Sequence, residues 1–430
     1  MSITEWLAMG LALVLGGWAL LSGPRRFGLG LTAALALLAW GLALTPLLWL
    51  GLAAVAAVLA LALIWPEKRP FVWLTSAPHK ARQWNRWRDI TQWLLVAAMA
   101  AAGAQYALHV WQLDSGAPTI ARPDVVDAFL PIAALIQLKG LLELGLWDTH
   151  HPAGLVMLLA ALGLSLTVKR AFCGWACPIG WLGERGYQLR RRLLPVNWRE
   201  RLAAQPNWLN RSVSVLALML DWALRLVKYG ILAWLVNLLL SGMPAMMVAR
   251  YLQGLYHQAA DLKMWALFTQ PSAGMLVGLG VVVALALVRR NGVCRYLCPY
   301  GALMAIAGAF SPYKIRRDTA LCLRDAKGMN CDKCHRACPS RIHVEVVGTV
   351  HSDECHSCQR CVAACPVKGA VSLSAPGRRW PMTPRAMVLV LIGFLFVLPL
   401  FFYAAGMWGS DTSPMMRAML WQRLENLPLF

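Results

Sequence analysis

No cysteine occurs before position 173, no glycine-rich nucleotide loop or flavin-attachment motif is present, and no two histidines sit deep in facing apolar stretches. These absences argue against a dinucleotide site and against b-type haem. Charge is scarce too: 14% of the 430 residues are charged, against 59% hydrophobic residues and 21 Trp. Such a chain is too apolar for an ordinary soluble globule and long enough for many spans of about 20 residues. Acidic residues are scarcest, 20 against 41 Lys and Arg, for a formal charge of +21. The cations fall mainly in loops joining apolar stretches, where they signal topology, so no nucleic-acid partner is expected. Glu5 is the only charge before Arg25. Without a basic segment ahead of it, the first apolar stretch is expected to stay as an anchor.

Apolar runs at 5–22, 28–45, 47–64, 91–111, 152–168, 212–240, 271–288 and 386–408 read as eight transmembrane helices embedding the chain in lipid. With the N-terminus outside, the loops at 23–27, 65–90, 169–211 and 289–385 face the cytoplasm and carry 33 of the 41 Lys and Arg. Asp221, Arg225 and Lys228 interrupt the sixth run. Either Asp221 and Arg225 pair on one helical face, or residues up to about 226 form a surface helix and the span starts near Lys228. The apolar outside segments 125–147 and 244–267 are re-entrant or interfacial.

Twelve cysteines remain to be explained. Cys355, Cys358, Cys361, Cys365 and Pro366 form a C-x2-C-x2-C-x3-C-P run, which wraps one cubane cluster and lends its last thiolate to a second. An imperfect copy ends in Cys331, Cys334, Cys338 and Pro339, and Cys322 supplies its first ligand across eight intervening residues where two are usual. On the crossed scheme Cys355, Cys358, Cys361 and Cys338 hold one 4Fe-4S cluster, while Cys331, Cys334, Cys322 and Cys365 hold the other. Structural zinc would pair separate C-x2-C knuckles instead. Cys331-Asp-Lys-Cys334-His335 has the form of a haem-attachment motif, but it is embedded in the ferredoxin run on the cytoplasmic side. That compartment also disfavours disulfides.

A second pattern is a repeat: Cys173-Gly-Trp-Ala-Cys177-Pro178-Ile-Gly180 and Cys294-Arg-Tyr-Leu-Cys298-Pro299-Tyr-Gly301, each directly after a basic cluster closing a span. It suggests a duplicated two-helix unit, spans four and five and then six and seven. If each motif is helical, its i and i+4 thiols share a face, and the four could hold a further cluster or a soft metal such as Cu(I). A redox dithiol, or small residues shaping a tight turn, are the competing readings. At the outer face Asp148, His150 and His151 could take protons from a quinol or bind a metal. Adjacent helical residues do not face one partner, so a solvated interfacial loop is the expectation. With no other cofactor motif present, electrons are expected to pass through a quinone or a partner subunit.

Ala171-Phe-Cys-Gly-Trp-Ala-Cys-Pro, Cys294-Arg-Tyr-Leu-Cys-Pro-Tyr-Gly-Ala, Lys314-Ile-Arg-Arg-Asp318 and Ala337-Cys-Pro-Ser-Arg341 together resemble the NosR/NapH-type membrane polyferredoxins, including their YccM-like branch. The similarity runs from about Asp148 to Leu373. It implies a multi-pass protein of the bacterial inner membrane with a cytoplasmic pair of 4Fe-4S clusters. It also implies a quinol dehydrogenase-type role between the quinone pool and a flavoprotein, cytochrome or ferredoxin partner. Relatives of the CcoG type share the motifs and are linked to copper reduction in oxidase assembly, which gives a metal reductase or assembly factor as the alternative. The chain departs from NosR in lacking its N-terminal flavin domain, so a flavin is expected from another subunit. The expected fold is mainly α, a polytopic helical protein of about eight spans with a small bacterial-type two-cluster ferredoxin domain. Its expected parts are a three-helix anchor at 1–65, a membrane core at 66–310, the ferredoxin domain at 311–380, and a last helix and tail at 381–430.

Overall fold

The computed structural model describes residues 79–114, 118–193, 208–378, 380–424 and 427. The expected spans at 5–22, 28–45 and 47–64, and with them the 1–65 anchor, lie outside the described residues. The first long helix is α1 (His79–Leu113), followed by α2 (Pro131–Leu144), α3 (Pro152–Val168), the five-residue α4 (Ala171–Trp175) and α5 (Pro178–Leu193). Then come α6 (Trp208–Ser241), α7 (Ala245–Gln253), α8 (Ala260–Thr269), α9 (Ala273–Val288), the five-residue α10 (Gly292–Tyr296) and α11 (Pro299–Ala309).

Among the described residues, three helices are long and apolar enough to cross a membrane: Asn85–Leu113, Met219–Ser241 and Pro384–Ala404. They correspond to the expected spans 91–111, 212–240 and 386–408. The expected span 271–288 is α9, which follows α8 at an 80° bend, so the pair forms one broken span or a re-entrant loop. The expected span 152–168 is α3, apolar but only 17 residues long. At 1.5 Å per residue it covers about 25 Å. Ala153, Leu155, Val156, Ala160 and Leu164 on α3 are all buried, as expected of a helix apolar all round at the centre of a bundle.

The charges interrupting α6 do not divide it, because each of them is paired. Arg225 donates to Asp221 at 2.5 Å, and Arg295 (2.8 Å) and Tyr296 (2.5 Å) of α10 also donate to Asp221. Lys228, fully buried, donates to Glu354 at 2.5 Å.

Beyond α11 the chain forms a small cysteine-rich lobe. Strands β1 (Lys314–Arg317) and β2 (Val371–Ser374) pair antiparallel, with Lys314 opposite Ser374 and Arg317 opposite Val371. This pairing brings the two ends of the lobe together and closes it. Between the strands lie three single-turn helices, α12 (Leu323–Lys327), α13 (Lys333–Ala337) and α14 (Arg360–Ala364). The helix α15 (Pro384–Ala404) follows, widened by a π turn at Gly393–Val397 just before Pro399, and α16 (Pro414–Gln422) ends the described chain. The lobe has no core of its own. Ile315, Val350, Val371 and Leu373 are continuous with Leu164, Val168 and Trp175 of the bundle and with Met387 and Leu391 of α15.

Candidate iron-sulfur and thiol centre

The two C-x3-C-P motifs fold alike, but not as single helices. The first cysteine of each lies inside a five-residue helix that ends at Ala176 (φ −118°, ψ −36°) or Leu297 (φ −111°, ψ −32°). The N–H of the second cysteine then donates back, Cys177 to Phe172 O and Cys298 to Val293 O, both at 3.0 Å. Cys298 caps α11, its sulfur accepting from Gly301 N–H at 3.3 Å, with Pro299 in the first helical position where no donor is needed. Cys177 receives the N–H groups of Gly180 and Ile179 in the same way. A Cβ on Gly180 would lie 2.5 Å from the Cys173 carbonyl oxygen, and one on Gly301 3.1 Å from that of Cys294. The glycine of C-x3-C-P-x-G thus lets the second helix start against the first cysteine. The expected i, i+4 face is therefore replaced by a break, with the second thiol at a helix N-terminus, where partial positive charge favours a thiolate.

The fold brings these four thiols together. α3 packs on α11 and α9 packs on α5, so each repeat crosses the other. Cys294 feels the charges of Cys177, Cys173 and Cys298. Burial, and then repulsion by Cys173, push the Cys177 thiol up to about 12. Cys298 is raised by burial and then Cys173, and Cys294 is raised further. Arg170, 1% exposed, sits among them. It donates to the Cys294 carbonyl at 3.3 Å, to the Asp353 carbonyl at 3.0 Å, and to the Cys173 side chain. Burial opposes its charge, yet the facing Cys173, Glu354 and Cys294 hold it more firmly protonated than an ordinary arginine.

In the lobe the eight remaining cysteines fall into two groups. Cys338, Cys355, Cys358 and Cys361 line one cavity, together with Ile315, Val344 and Val350. Cys338 is pushed up to about 12 by burial first and then by Cys358 and Cys355, and Cys361 is raised by burial, Cys358 and Cys338. In the second group Cys365 is raised by burial and also feels Cys322 and Cys331. Cys334, at about 11, is raised by burial, Glu345 and Cys365. Cys322 differs: burial raises it, but Arg317 and the N–H groups of Arg324 and Asp325 together outweigh burial and lower it. Four soft sulfur donors around a cavity suit a cubane cluster, and displacement of their protons is the normal cost of binding one.

The two thiol-bearing regions meet directly. A Cβ on Gly174 would lie 2.4 Å from the His356 carbonyl oxygen, and Trp175 Nε1 donates to Ser357 O at 3.1 Å. The contact therefore runs between the neighbour of Cys173 and the two residues separating Cys355 from Cys358. Lys169 donates to Val350 O (3.0 Å) and Ser352 O (2.9 Å) on the same loop. Glu184 of α5 ties the junction further, accepting from Arg88 at 2.6 Å, from Arg290 at 2.5 Å and from Arg360. None of these partners is signalled by local sequence. Lys169 and Arg170 in particular read as topology charges, whereas both are buried.

At the other end of α3 the expectation of a solvated loop is overturned, since Asp148 and His151 are buried. His151 Nδ1 faces Asp127 at 2.8 Å and its Nε2 faces the His257 carbonyl at 2.8 Å. Arg122 also approaches His151 Nδ1, at 3.2 Å, so the ring sits between a carboxylate, a carbonyl and a guanidinium. Arg122 binds Asp127 and donates to Asp261 at 2.7 Å, and Arg417 donates to Asp261 at 2.9 Å. With Asp124 this sets two guanidinium groups and the His151 ring against three carboxylates. Beside it His257 pairs with Asp148 at 2.8 Å. The reasoning from adjacency failed because His151 and Asp148 turn to different partners, Asp127, Gln137 and, more than a hundred residues away, His257.

Comparison with known proteins adds to this geometry. A family profile described as a 4Fe-4S binding domain matches residues 150–197 and 272–318, the two C-x3-C-P repeats together with the helices on either side. The repeated unit is thus one helix, the motif and the helix after it, rather than two successive spans. The chain is 33% identical over 340 residues to the "Putative electron transport protein YccM" of Escherichia coli, covering 76% of this chain and 89% of the relative. It is 25% identical over 293 residues to the "Ferredoxin-type protein NapH" of Haemophilus influenzae, covering 66% and 86%. To the "Regulatory protein NosR" of Pseudomonas aeruginosa it is 31% identical over 206 residues, covering 47% of this chain and 24% of the relative. No solved structure matches. The repeats, the ferredoxin cysteine runs and the extent of these matches together mean that the chain belongs to the NosR/NapH-type membrane polyferredoxins.

Proposed function

We propose that this protein is an electron-transfer subunit of a membrane redox complex, working between the quinone pool and a partner redox protein. The observation that carries the reading is the junction of Gly174 and Trp175 with His356 and Ser357, which brings the lobe's cysteines against the membrane-bundle thiols. Cys338, Cys355, Cys358 and Cys361 would hold one 4Fe-4S cluster, and Cys322, Cys331, Cys334 and Cys365 a second. Such clusters supply one-electron chemistry at potentials set by charge, hydrogen bonding and burial. The chain's own part is to hold eight thiolates in two groups and to offset their charge with Lys169 and Arg170 near Cys355 and with Arg88 near Cys358. Cys173, Cys177, Cys294 and Cys298, with Arg170 among them, form a site for a further cluster or soft metal. The concentration of Lys and Arg in loops at the cysteine end supports placing that end in the cytoplasm.

Iron and acid-labile sulfide on anaerobically purified protein test the cluster assignment. About eight of each per chain supports two clusters, a clear excess adds one at the four bundle thiols, and about four empties the stretched motif. A Cys177→Ser variant that keeps full quinol-linked electron transfer and full metal content would remove the bundle thiols from the path. The convergence of those four thiols also favours the copper-handling alternative as a second reading. Anaerobic Cu(I) titration separates the two: tight binding lost in Cys173→Ser supports metal handling, and no binding supports electron transfer alone.

A further inference from the structure

The lobe carries a cluster of metal-ligating groups that uses none of its cysteines. His335 lies on α13 between Cys334 and Cys338, and the chain turns back over that helix through Arg341, whose φ is +52°. The turn lays His343 on His335, the two rings 4.2 Å apart and 14° from parallel. His343 Nδ1 faces Glu345 Oε1 at 2.9 Å, and His335 Nδ1 faces the Ile342 carbonyl at 3.2 Å. One donor atom from each of His335, His343 and Glu345 falls within 4.8 Å of the others.

A second observation singles out the carboxylate. Glu345 is 4% exposed, and its Oε2 is buried with no hydrogen-bond partner. A buried carboxylate oxygen left unsatisfied is costly and calls for a cation or donor. The bond from His335 Nδ1 to the Ile342 carbonyl is of the kind that holds an imidazole's other nitrogen ready for a metal.

We infer that His335, His343 and Glu345 form a binding site for a divalent transition ion of borderline softness, such as Zn²⁺ or Fe²⁺. Two imidazoles and a carboxylate suit such ions better than they suit Ca²⁺ or Mg²⁺. Ligands around one zinc ion stand about 3.4 Å apart, given bonds of about 2.0–2.1 Å, so the group must contract by roughly 1 Å. His343 is the side chain that can move. It is 68% exposed, and its contact to Glu345 and its stack on His335 lie at the surface, so its ring can turn out of the stack to share an ion with His335. Three protein ligands leave a position for water or for a group on a docked partner. Glu345 also acts electrostatically on Cys334, so an occupied site would oppose that negative charge beside the Cys322, Cys331, Cys334 and Cys365 group.

The test is zinc stoichiometry on the cluster-loaded, full-length protein after anaerobic equilibrium dialysis against micromolar Zn²⁺. Wild type is compared with His343→Ala and Glu345→Gln, with iron and sulfide counted in parallel. Because thiols elsewhere in the chain can also bind zinc, the readout is the difference between variants. One equivalent fewer in His343→Ala at unchanged iron, with a nitrogen and oxygen shell for that equivalent by zinc X-ray absorption, is the expected result. Equal zinc in wild type and His343→Ala overturns the proposal. If Glu345→Gln loses iron because the buried position is disturbed, the exposed His343→Ala still decides. The site contains no cysteine, so the outcome stands apart from whether the lobe holds two clusters.

Discussion

Replacing Gly174 by alanine tests the junction between the lobe and the bundle with a single methyl group. The ideal Cβ would stand 2.4 Å from the His356 carbonyl oxygen and 3.2 Å from the His356 Cβ. The first contact is roughly 1 Å short of ordinary van der Waals separation, and it is made to backbone, which cannot swing aside as a long side chain would. Relief requires α4 and the 355–358 loop to part. Overpacking of this kind costs about 1–3 kcal/mol. Parting also weakens the bond from Trp175 to Ser357 O and those from Arg88 (2.8 Å) and Gln92 (2.9 Å) to the Gly174 carbonyl. At about 1 kcal/mol net for each if all three are lost, the total reaches roughly 4–6 kcal/mol. Helix propensity works the other way, since alanine in α4 should gain up to about 1 kcal/mol over glycine. The sign therefore discriminates. The expected outcome is a lower thermal midpoint in detergent and slower oxidation of the reduced protein by a quinone analogue, at unchanged iron content. A Gly174→Ala protein as stable and as fast as wild type would refute the direct-contact geometry.

Glu184→Gln leaves the guanidinium groups of Arg88, Arg290 and Arg360 without their shared carboxylate, and breaking a buried pair in this way costs about 3–5 kcal/mol. Protease sensitivity between α14 and α15 reads the loosening. Burial alone would raise the Glu184 carboxyl, but the three arginines outweigh it and hold the group well below the usual carboxylate range. Its contribution is therefore full above about pH 4.3 and lost as pH falls through the folded value, so the variant's acid-unfolding curve should be flatter in that range. Lys228→Met strips Glu354 and Asp353 of their buried cation and frees the loop carrying Cys355. Iron should then leave to a chelator several-fold faster. Asp127→Asn removes the negative charge shared by Arg122 and His151. The thermal midpoint should fall, by an amount reflecting about 3–5 kcal/mol, while iron, bound at the far end of α3, stays unchanged.

The sequence by itself determined what depends on spacing along the chain. A thiolate run of C-x2-C-x2-C-x3-C-P can enclose a cluster because neighbouring residues supply most of the ligands, so eight cysteines could be sorted into two groups without coordinates. Long apolar stretches likewise showed that the chain is a membrane protein, and the repeat of Cys173-to-Gly180 in Cys294-to-Gly301 was visible as text. Only the tertiary structure decided what depends on distant partners. The break between Cys173 and Cys177 follows from the need of α5 to start against the Cys173 carbonyl, which outweighs the helical reading of the spacing. The charges in α6 are tolerated because Asp221 and Lys228 meet Arg295 and Glu354, dozens of residues away. Asp148 and His151 are buried for the same reason, with Asp127, His257 and their neighbours supplying compensation that no local pattern announces. A buried charge is stable only beside its partner, and where partners are brought together by packing, the pairing is a property of the fold.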